Sequence, residues 1–218
     1  MSVHSALQDR TPSKESLLNL ITSAGKIKKK SLVYKHSGEI PNCDPPDRTV
    51  DVDIATESLI DRVITSEKRR KKFRQFLHDW HVGFIAHDEE SFIARGWVCT
   101  PLSMSVPYNL PAWVADLDAY WLTHARTKEG YRNQGWHKYM ISRRLQWIQE
   151  RAQDGPVYTE TGPENVSRYT FASTGFEPCG VMTTYRLGHP TIGVKQFGNW
   201  DSEKEHPPMP HNRNNIEK

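Results

Sequence analysis

The stretch TKEGYRNQGWH, residues 127–137, lies between the two most regular patterns of the chain. Before it, residues 115–127 read as one long strand with a dense apolar middle. After it, apolar residues recur every three or four positions from Ile141 onward, which predicts a helix over residues 135–152. A turn of this kind presents the free amides of the first helical turn and the positive end of the helix dipole. We therefore predict an anion site here, suited to a pyrophosphate.

Two residues of the turn fit such a site. Gly135 would let a ligand approach the backbone closely, and Arg132 would add a fixed positive charge with a forked set of donors. A glycine before a helix is also common as a plain turn. The turn alone therefore leaves both interpretations open.

Length, charge and cysteine spacing exclude several classes of protein. A chain of 218 residues with a formal net charge of +3 is expected to form one soluble domain with tails, and it offers no basis for a nucleic-acid partner. No apolar run is long enough to cross a bilayer, and the N-terminus lacks the apolar core of a signal peptide. The cysteines, Cys43, Cys99 and Cys179, have no zinc-ligand spacing and are interpreted as reduced thiols. We expect a cytoplasmic protein without a metal and without a membrane partner.

The chain divides into three parts by pattern. Residues 1–48 are polar and proline-containing and predict a partly flexible N-terminal segment, residues 49–187 carry the periodic patterns, and residues 188–218 predict a disordered polar tail. The basic run 68–72 is interpreted as the solvated face of a helix.

The periodic part predicts an α/β domain. The expected strands are residues 49–55, 81–87, 91–100, 115–127, 157–161 and 179–187, and the expected helices are 56–63, 66–78, 135–152 and 165–174. This order implies a mixed sheet, antiparallel in its first half and with a crossover helix in its second half.

The turn resembles a family signature. RNQGWH at 132–137 is similar to the glutamine or arginine, two residues, glycine, one residue, glycine or alanine of the GNAT superfamily of acyl-CoA-dependent N-acyltransferases. Tyr131 precedes it, as is typical, and a second signature follows in the Asn165 helix that closes on Gly175 and Phe176. The resemblance covers residues 49–187.

The resemblance implies a fold and a set of binding residues. The fold would be a mixed central sheet, splayed between the fourth and fifth strands and flanked by helices. The co-substrate would be acetyl-CoA, without a metal, and its acyl group would pass to an amine of a small molecule on a monomer or homodimer. The implied cofactor-binding residues are Ala125, Arg126 and Thr127 for the pantetheine arm, Arg132, Asn133, Gln134, Gly135, Trp136 and His137 for the pyrophosphate, and Asn165 near the thiol. Residues before about 30 and after about 193 are expected to be dispensable for this binding.

Two positions depart from the family pattern. His137 stands where the family has glycine or alanine, so its ring is expected to turn out of the phosphate cradle or, alternatively, to contact a phosphate. Phe171 stands where many members have a tyrosine that acts as general acid. We expect Phe171 to be a core residue and the leaving thiolate to be protonated by water.

The general base is not defined by the motif. The candidate catalytic residues are Asp118, His124 and Glu160, and each of them could instead be a structural residue. An aromatic group could line an acceptor pocket or belong to the core: Tyr108, Trp113, Tyr120 and Trp121. Two other functions stay open, an acyl-CoA-binding module without catalysis and an acetyltransferase that acts on proteins.

Overall fold

The structure, a computed structural model, describes residues 27–107, 110–151, 155–189 and 193–210. The strands are β1 Ile27–His36, β2 Asp51–Ile54, β3 Val82–His87, β4 Phe92–Cys99, β5 Tyr120–Thr127, β6 Val157–Thr161, β7 Phe176–His189 and β8 Gly193–Asp201. The α-helices are α1 Glu57–Val63, α2 Glu67–His78, α3 Trp136–Glu150 and α4 Ser167–Ala172, and short 3-10 turns occupy Ala112–Asp116 and Glu129–Tyr131.

The strands form one mixed sheet in the order β2-β3-β4-β5-β6-β1-β7-β8. Its neighbouring strands are antiparallel except β5 and β6, which run parallel and are joined through α3. A parallel pair requires a crossover connection, and the amphipathic stretch after Gly135 supplies it. The expected α/β fold with a mixed sheet is confirmed.

Local sequence signals set the helix ends. Thr56 caps α1 by accepting a hydrogen bond from the Leu59 amide at 3.2 Å. Gly135 is the residue before α3 and has φ = 91°, a left-handed conformation that a residue with a Cβ adopts only with strain. The turn before α3 therefore depends on glycine at this position.

The helices cover opposite faces of the sheet. On one face, here called the α3 face, Met140, Ile141 and Leu145 pack with Tyr120 and Leu122. On the other, here called the α2 face, the second core joins α1 and α2 to the sheet through Phe73, Phe76, Ile85 and Trp97. Alternation along each strand thus decides which face a side chain reaches.

The sheet extends beyond residues 49–187 at both ends. β1, which lies between β6 and β7, falls in the segment that was expected to be a flexible arm, and β8 falls in the expected disordered tail. Residues 1–26 and 211–218 lie outside the described residues. A chain trimmed to residues 31–193 would cut into β1 and remove β8. That the residues outside these bounds are dispensable for CoA binding stays a prediction.

The strand before the glycine turn is shorter than expected. β5 begins at Tyr120, and Ala112–Asp116 upstream forms a 3-10 turn instead of strand. Since β1 precedes the strands that were counted from the sequence, the expected fourth and fifth strands are the fifth and sixth of the structure. Among the described residues, no helix is long and apolar enough to cross a membrane.

Candidate functional site

The sheet opens between β5 and β6. Their pairing covers Tyr120–Val157, Trp121–Tyr158 and Leu122–Thr159 and then ends, while β5 continues to Thr127 on its other partner, β4. A cleft of about 720 Å³ occupies the gap between the two diverging strands. The splay that the resemblance implied is therefore confirmed, between the two strands for which it was expected.

The N-terminus of α3 lies at one end of the cleft. The first hydrogen bond within the helix runs from the Tyr139 amide to the Gly135 carbonyl at 3.0 Å, so the amides of Trp136, His137 and Lys138 have no partner inside the helix. Asn133 and Gly135 both have positive φ, 62° and 91°. The turn and the first helical turn together form a concave group of donors, which suits an anion.

Most of the predicted binding residues line this cleft. They are Ala125, Arg126, Thr127, Arg132, Asn133, Gly135, Trp136, His137 and Asn165. Gln134 does not: its side chain is exposed and donates to the Gly130 carbonyl at 3.0 Å. The side chain of Gln134 therefore stabilises the turn from the outside.

A β-bulge interrupts β5 beside the cleft. Arg95 pairs with Arg126 and Trp97 pairs with Thr123, so two residues of β5 stand opposite Gly96. His124 in the bulge has φ = 49°, and its carbonyl accepts a hydrogen bond from Arg95 Nη1 at 2.7 Å. The bulge places backbone at the point where β5 loses its pairing with β6.

His124 lines the cleft, but it is not a strong base. Burial, together with the nearby Lys72 and Arg95 cations, lowers the pKa of His124 to about 3. An imidazole with that pKa holds a proton poorly near neutral pH. The expectation of a pKa suited to a general base is therefore wrong, because the neighbours that depress it are distant in sequence.

Glu160 lies on β6 and lines the cleft. Lys29 of β1 contacts both of its carboxylate oxygens at 3.0 Å. The Glu160 side chain retains 10% exposure, so it is reachable from the cleft. The sequence offered Glu160 as a candidate but gave no sign of Lys29, since Lys29 was assigned to a flexible arm.

Asp118 does not lie at the cleft. Its side chain is exposed just before β5, near Gly155, at the end of the strand opposite to the bulge. Asp118 was considered because it was expected to lie on a strand beginning at residue 115, and the structure begins that strand at Tyr120. A catalytic role for Asp118 stays a prediction.

The aromatic residues before the glycine turn belong mainly to the core. Trp121 is 1% exposed and packs on Tyr158 and Trp200, and Trp113 donates to the Gly198 carbonyl at 2.8 Å. Tyr120 is buried in the core on the α3 face, and Tyr108 lies outside the described residues. The core interpretation holds for the described members of this group.

His137 is half-buried, lines the cleft and packs on Phe171, with 5.8 Å between ring centroids. Burial and the Arg144 cation lower the pKa of His137 to about 4. Phe171 is 5% exposed and packs with Phe176, as expected of a core residue, and it also lines the cleft. Apolar Phe171 and neutral His137 thus border the cleft together.

Arg144 was not singled out from the sequence. It is 1% exposed, donates to the carbonyls of Met140 at 2.9 Å and Trp97 at 3.4 Å, and lines the cleft. Burial lowers the pKa of Arg144 to about 9. The sequence did not identify Arg144 as a cleft residue, because it lies within an ordinary amphipathic helical pattern. Only the tertiary structure brings Arg144 close to the bulge.

No family model matches the chain, and no curated protein is similar to it at the level of sequence. Among solved structures, a GNAT-family acetyltransferase from Colwellia psychrerythraea superposes with a TM-score of 0.50 at 14% identity, over 84% of this chain and 60% of that one. The chain has the GNAT fold. A GNAT-family protein from Novosphingobium aromaticivorans gives a TM-score of 0.49 at 14% identity, over 73% of this chain and 64% of that one. The chain thus spans less than two thirds of the length of either GNAT structure.

An aminoglycoside N-acetyltransferase in complex with CoA is also similar, with a TM-score of 0.44 at 17% identity, over 58% of this chain and 91% of that one. At sequence identities this low, the similarity to the GNAT structures concerns the fold alone.

Proposed function

We propose that the chain is an N-acetyltransferase that moves an acetyl or other short acyl group from acyl-CoA to an amine of a small molecule by direct attack. The observation that carries the proposal is the opening between β5 and β6 with the N-terminus of α3 at its end. An extended arm fits between the strands while an anionic head fits on the helix amides.

The chain's own groups match the chemistry of CoA. The amides of Trp136, His137 and Lys138 would bind the pyrophosphate, and the exposed Arg132 would add a charge-assisted contact. Along the strands, the buried hydroxyl of Thr123 lines the cleft and has no hydrogen-bond partner among the described residues. A polar group of the pantetheine arm would satisfy it.

The catalytic step assigns roles to the residues around the bulge. A backbone amide of the bulge, where β5 has left β6, would stabilise the oxyanion that forms at the thioester carbonyl. Glu160 would accept the proton of the attacking amine, directly or through one water. Because Phe171 offers no proton, water would protonate the leaving thiolate, whose reference pKa near 8.5 makes this step easy.

The first experiment tests the binding site by calorimetry with CoA. Gly135→Pro removes an amide and cannot adopt φ = 91°, so we expect it to abolish binding while the circular dichroism spectrum is retained. Arg132→Ala should weaken binding by about 1–3 kcal/mol, because the amide donors remain. Gly130→Ala is the control, since a Cβ at Gly130 meets no atom within 4 Å. A folded Gly135→Pro protein that binds CoA like the parent would place the pyrophosphate elsewhere.

The second experiment tests catalysis by thiol release from acetyl-CoA with a panel of small amines. Glu160→Gln should keep CoA binding and lower kcat by about 10²–10⁴-fold, as expected for the loss of a general base. Thiol release by Glu160→Gln at the parental rate would remove Glu160 from this role. Binding of CoA without thiol release for any amine would favour the acyl-CoA-binding module instead.

A further inference from the structure

Arg144 is a buried cation in the wall of the cleft. Its side chain is 1% exposed, and it donates from Nε to the Met140 carbonyl at 2.9 Å and from Nη1 to the Trp97 carbonyl at 3.4 Å. A guanidinium carries more N–H donors than these two carbonyls accept. Within the described part of the chain, the donors on Nη2 have no hydrogen-bond acceptor. Arg144 can therefore donate to a group that enters the cleft.

Negative charge is absent around Arg144 in the part of the chain that the structure describes. Glu160 is the one acidic residue among the described residues that line the cleft, and Lys29 contacts both of its carboxylate oxygens at 3.0 Å. Along β6, Val157 belongs to the core on the α3 face and Tyr158 packs into the core behind the sheet. Alternation therefore places Glu160 with Tyr158, on the face opposite to α3 and Arg144.

The charge of Arg144 persists at neutral pH. Burial lowers the pKa of Arg144 to about 9, which still leaves the guanidinium protonated at pH 7. Burial and this same cation together lower the pKa of His137 in the cleft wall to about 4. A buried charge without a counterion destabilises a folded protein, and a bound anion would reduce that cost. Leu122, Trp136 and Phe171 also line the cleft, so its apolar walls screen the charge weakly and favour an anionic group.

The position of Arg144 decides which part of acyl-CoA would supply the anion. A Cβ at Gly96 would lie 2.7 Å from Arg144 Cζ, so the guanidinium packs directly against Gly96 of β4. Gly96 stands opposite the bulge of β5, beside which the thioester carbonyl would lie. The pyrophosphate would bind to the amides at the N-terminus of α3, at the end of the cleft. The acyl chain is therefore the part of the donor that would reach Arg144.

We propose that the donor is a short dicarboxylic acyl-CoA, of the malonyl or succinyl class, whose terminal carboxylate binds to Arg144. The inference rests on the proposed function and names the acyl group that is transferred. The amine nitrogen bonds to the thioester carbon and the C–S bond breaks, while the amine proton passes to Glu160 and the thiolate takes a proton from water. The terminal carboxylate takes no part in these bonds, so the product is an amide that keeps a free carboxylate.

Calorimetry with unreactive thioethers of CoA tests the binding of the carboxylate apart from turnover. One thioether carries a propyl chain that ends in a carboxylate, and its matched partner carries the same chain ending in a carboxamide. The two have nearly the same shape and differ in charge. We expect the parent protein to bind the carboxylate at least about tenfold more tightly, because charge-assisted hydrogen bonds are the stronger kind. Equal binding of the two, or tighter binding of the carboxamide, would overturn the proposal.

Thiol release compares donors of equal chain length with one panel of small amines. The pairs are malonyl-CoA with propionyl-CoA and succinyl-CoA with butyryl-CoA, and spontaneous hydrolysis of each donor is subtracted. We expect kcat/KM to be at least about tenfold higher for the dicarboxylic member of the preferred pair. Acetyl-CoA, which has no group that reaches Arg144, should be a slower donor than that member.

Substitutions connect the preference to Arg144. Arg144→Met removes the charge and keeps a long apolar chain, so we expect it to lower the affinity for the carboxylate thioether by about tenfold and to leave the affinities for the carboxamide and for CoA nearly unchanged. Arg144→Lys keeps the charge and should retain part of the preference. Arg143→Met, at an exposed neighbouring position of α3, is the matched control. If Arg144→Met does not fold, the two thioethers still decide the question in the parent protein.

The outcomes separate the inference from the function. Turnover of acetyl-CoA or butyryl-CoA at or above the rate of the dicarboxylic donors would overturn the carboxylate assignment and leave the acyltransferase standing. The same assignment falls if Arg144→Met weakens the binding of CoA itself, or if it slows every donor equally, because Arg144 would then contact the pantetheine arm or the thioester carbonyl. Thiol release from none of the donors would overturn the proposed function, while a preference for the carboxylate thioether would still place the carboxylate at Arg144. Failure to bind CoA or either thioether would overturn both.

Discussion

Burial holds three histidines, two of which line the cleft, in their uncharged form. It lowers the pKa of His81 and of His137 to about 4 and, with the nearby cations, that of His124 to about 3. In the unfolded chain a histidine has a pKa of about 6.5. As the pH falls below about 6.5, these histidines therefore bind protons in the unfolded chain but stay unprotonated in the folded chain. The stability that is present above pH 6.5 is lost progressively toward pH 4.

We predict that His137→Asn flattens this pH dependence. At pH 5 the free energy of unfolding of the parent should change by about 1 kcal/mol per pH unit through His137 alone, and the variant should lack that contribution. Urea unfolding at several pH values between 7 and 5, without CoA, measures the slope. His78→Asn is the control, because the His78 side chain is 75% exposed. Equal slopes in the parent and His137→Asn would contradict the burial of an uncharged ring.

At the level of elements, β1 is a strand that could not be predicted from the sequence alone. The crossover helix and β6 were predictable because their periodicity is local and because Gly135 marks the start of the helix. β1 reads IKKKSLVYKH, and its lysines resemble those of a solvated arm. Its partners, such as Glu160 and Met182, are more than a hundred residues away, so only the assembled sheet identifies it. The ion pair of Lys29 with Glu160 was missed for the same reason.

The position of β1 predicts the outcome of N-terminal truncation. A chain that starts at residue 49 should not fold, because it loses the strand between β6 and β7 together with Leu32, Val33 and Tyr34, each at most 2% exposed. Burial of such side chains stabilises by about 1.5–3 kcal/mol each, which is a large part of the stability of a domain. A chain that starts at residue 27 keeps the strand and should melt cooperatively. Circular dichroism and gel filtration distinguish the two, and a cooperative transition in the shorter chain would refute this account of the sheet.

At the scale of the whole molecule, the C-terminal segment joins parts of the fold that are distant in sequence. Arg168 of α4 is 2% exposed and donates to the Tyr34 hydroxyl of β1 at 2.9 Å. It also donates to the carbonyls of Pro207 at 2.6 Å and Pro208 at 2.8 Å. His206 contacts the Gly180 carbonyl of β7 at 2.8 Å. α4 borders the cleft through Ser167. Residues 202–210, which were expected to be disordered, therefore stabilise the helix that forms one wall of the candidate site.

Truncation after Asp201 should therefore destabilise the folded domain, which the removal of a disordered tail would not do. It keeps β8 but removes two carbonyl acceptors of a buried guanidinium, and hydrogen bonds to charged groups contribute more than neutral ones. We expect the free energy of unfolding to fall by about 2–4 kcal/mol, measured by urea unfolding, and CoA affinity to fall with it. A chain that ends at Pro210 retains these contacts and serves as the control. If both truncated chains unfold at the same urea concentration, the contacts of residues 202–210 do not stabilise α4, and the support of the cleft has to come from β1 and β7 alone.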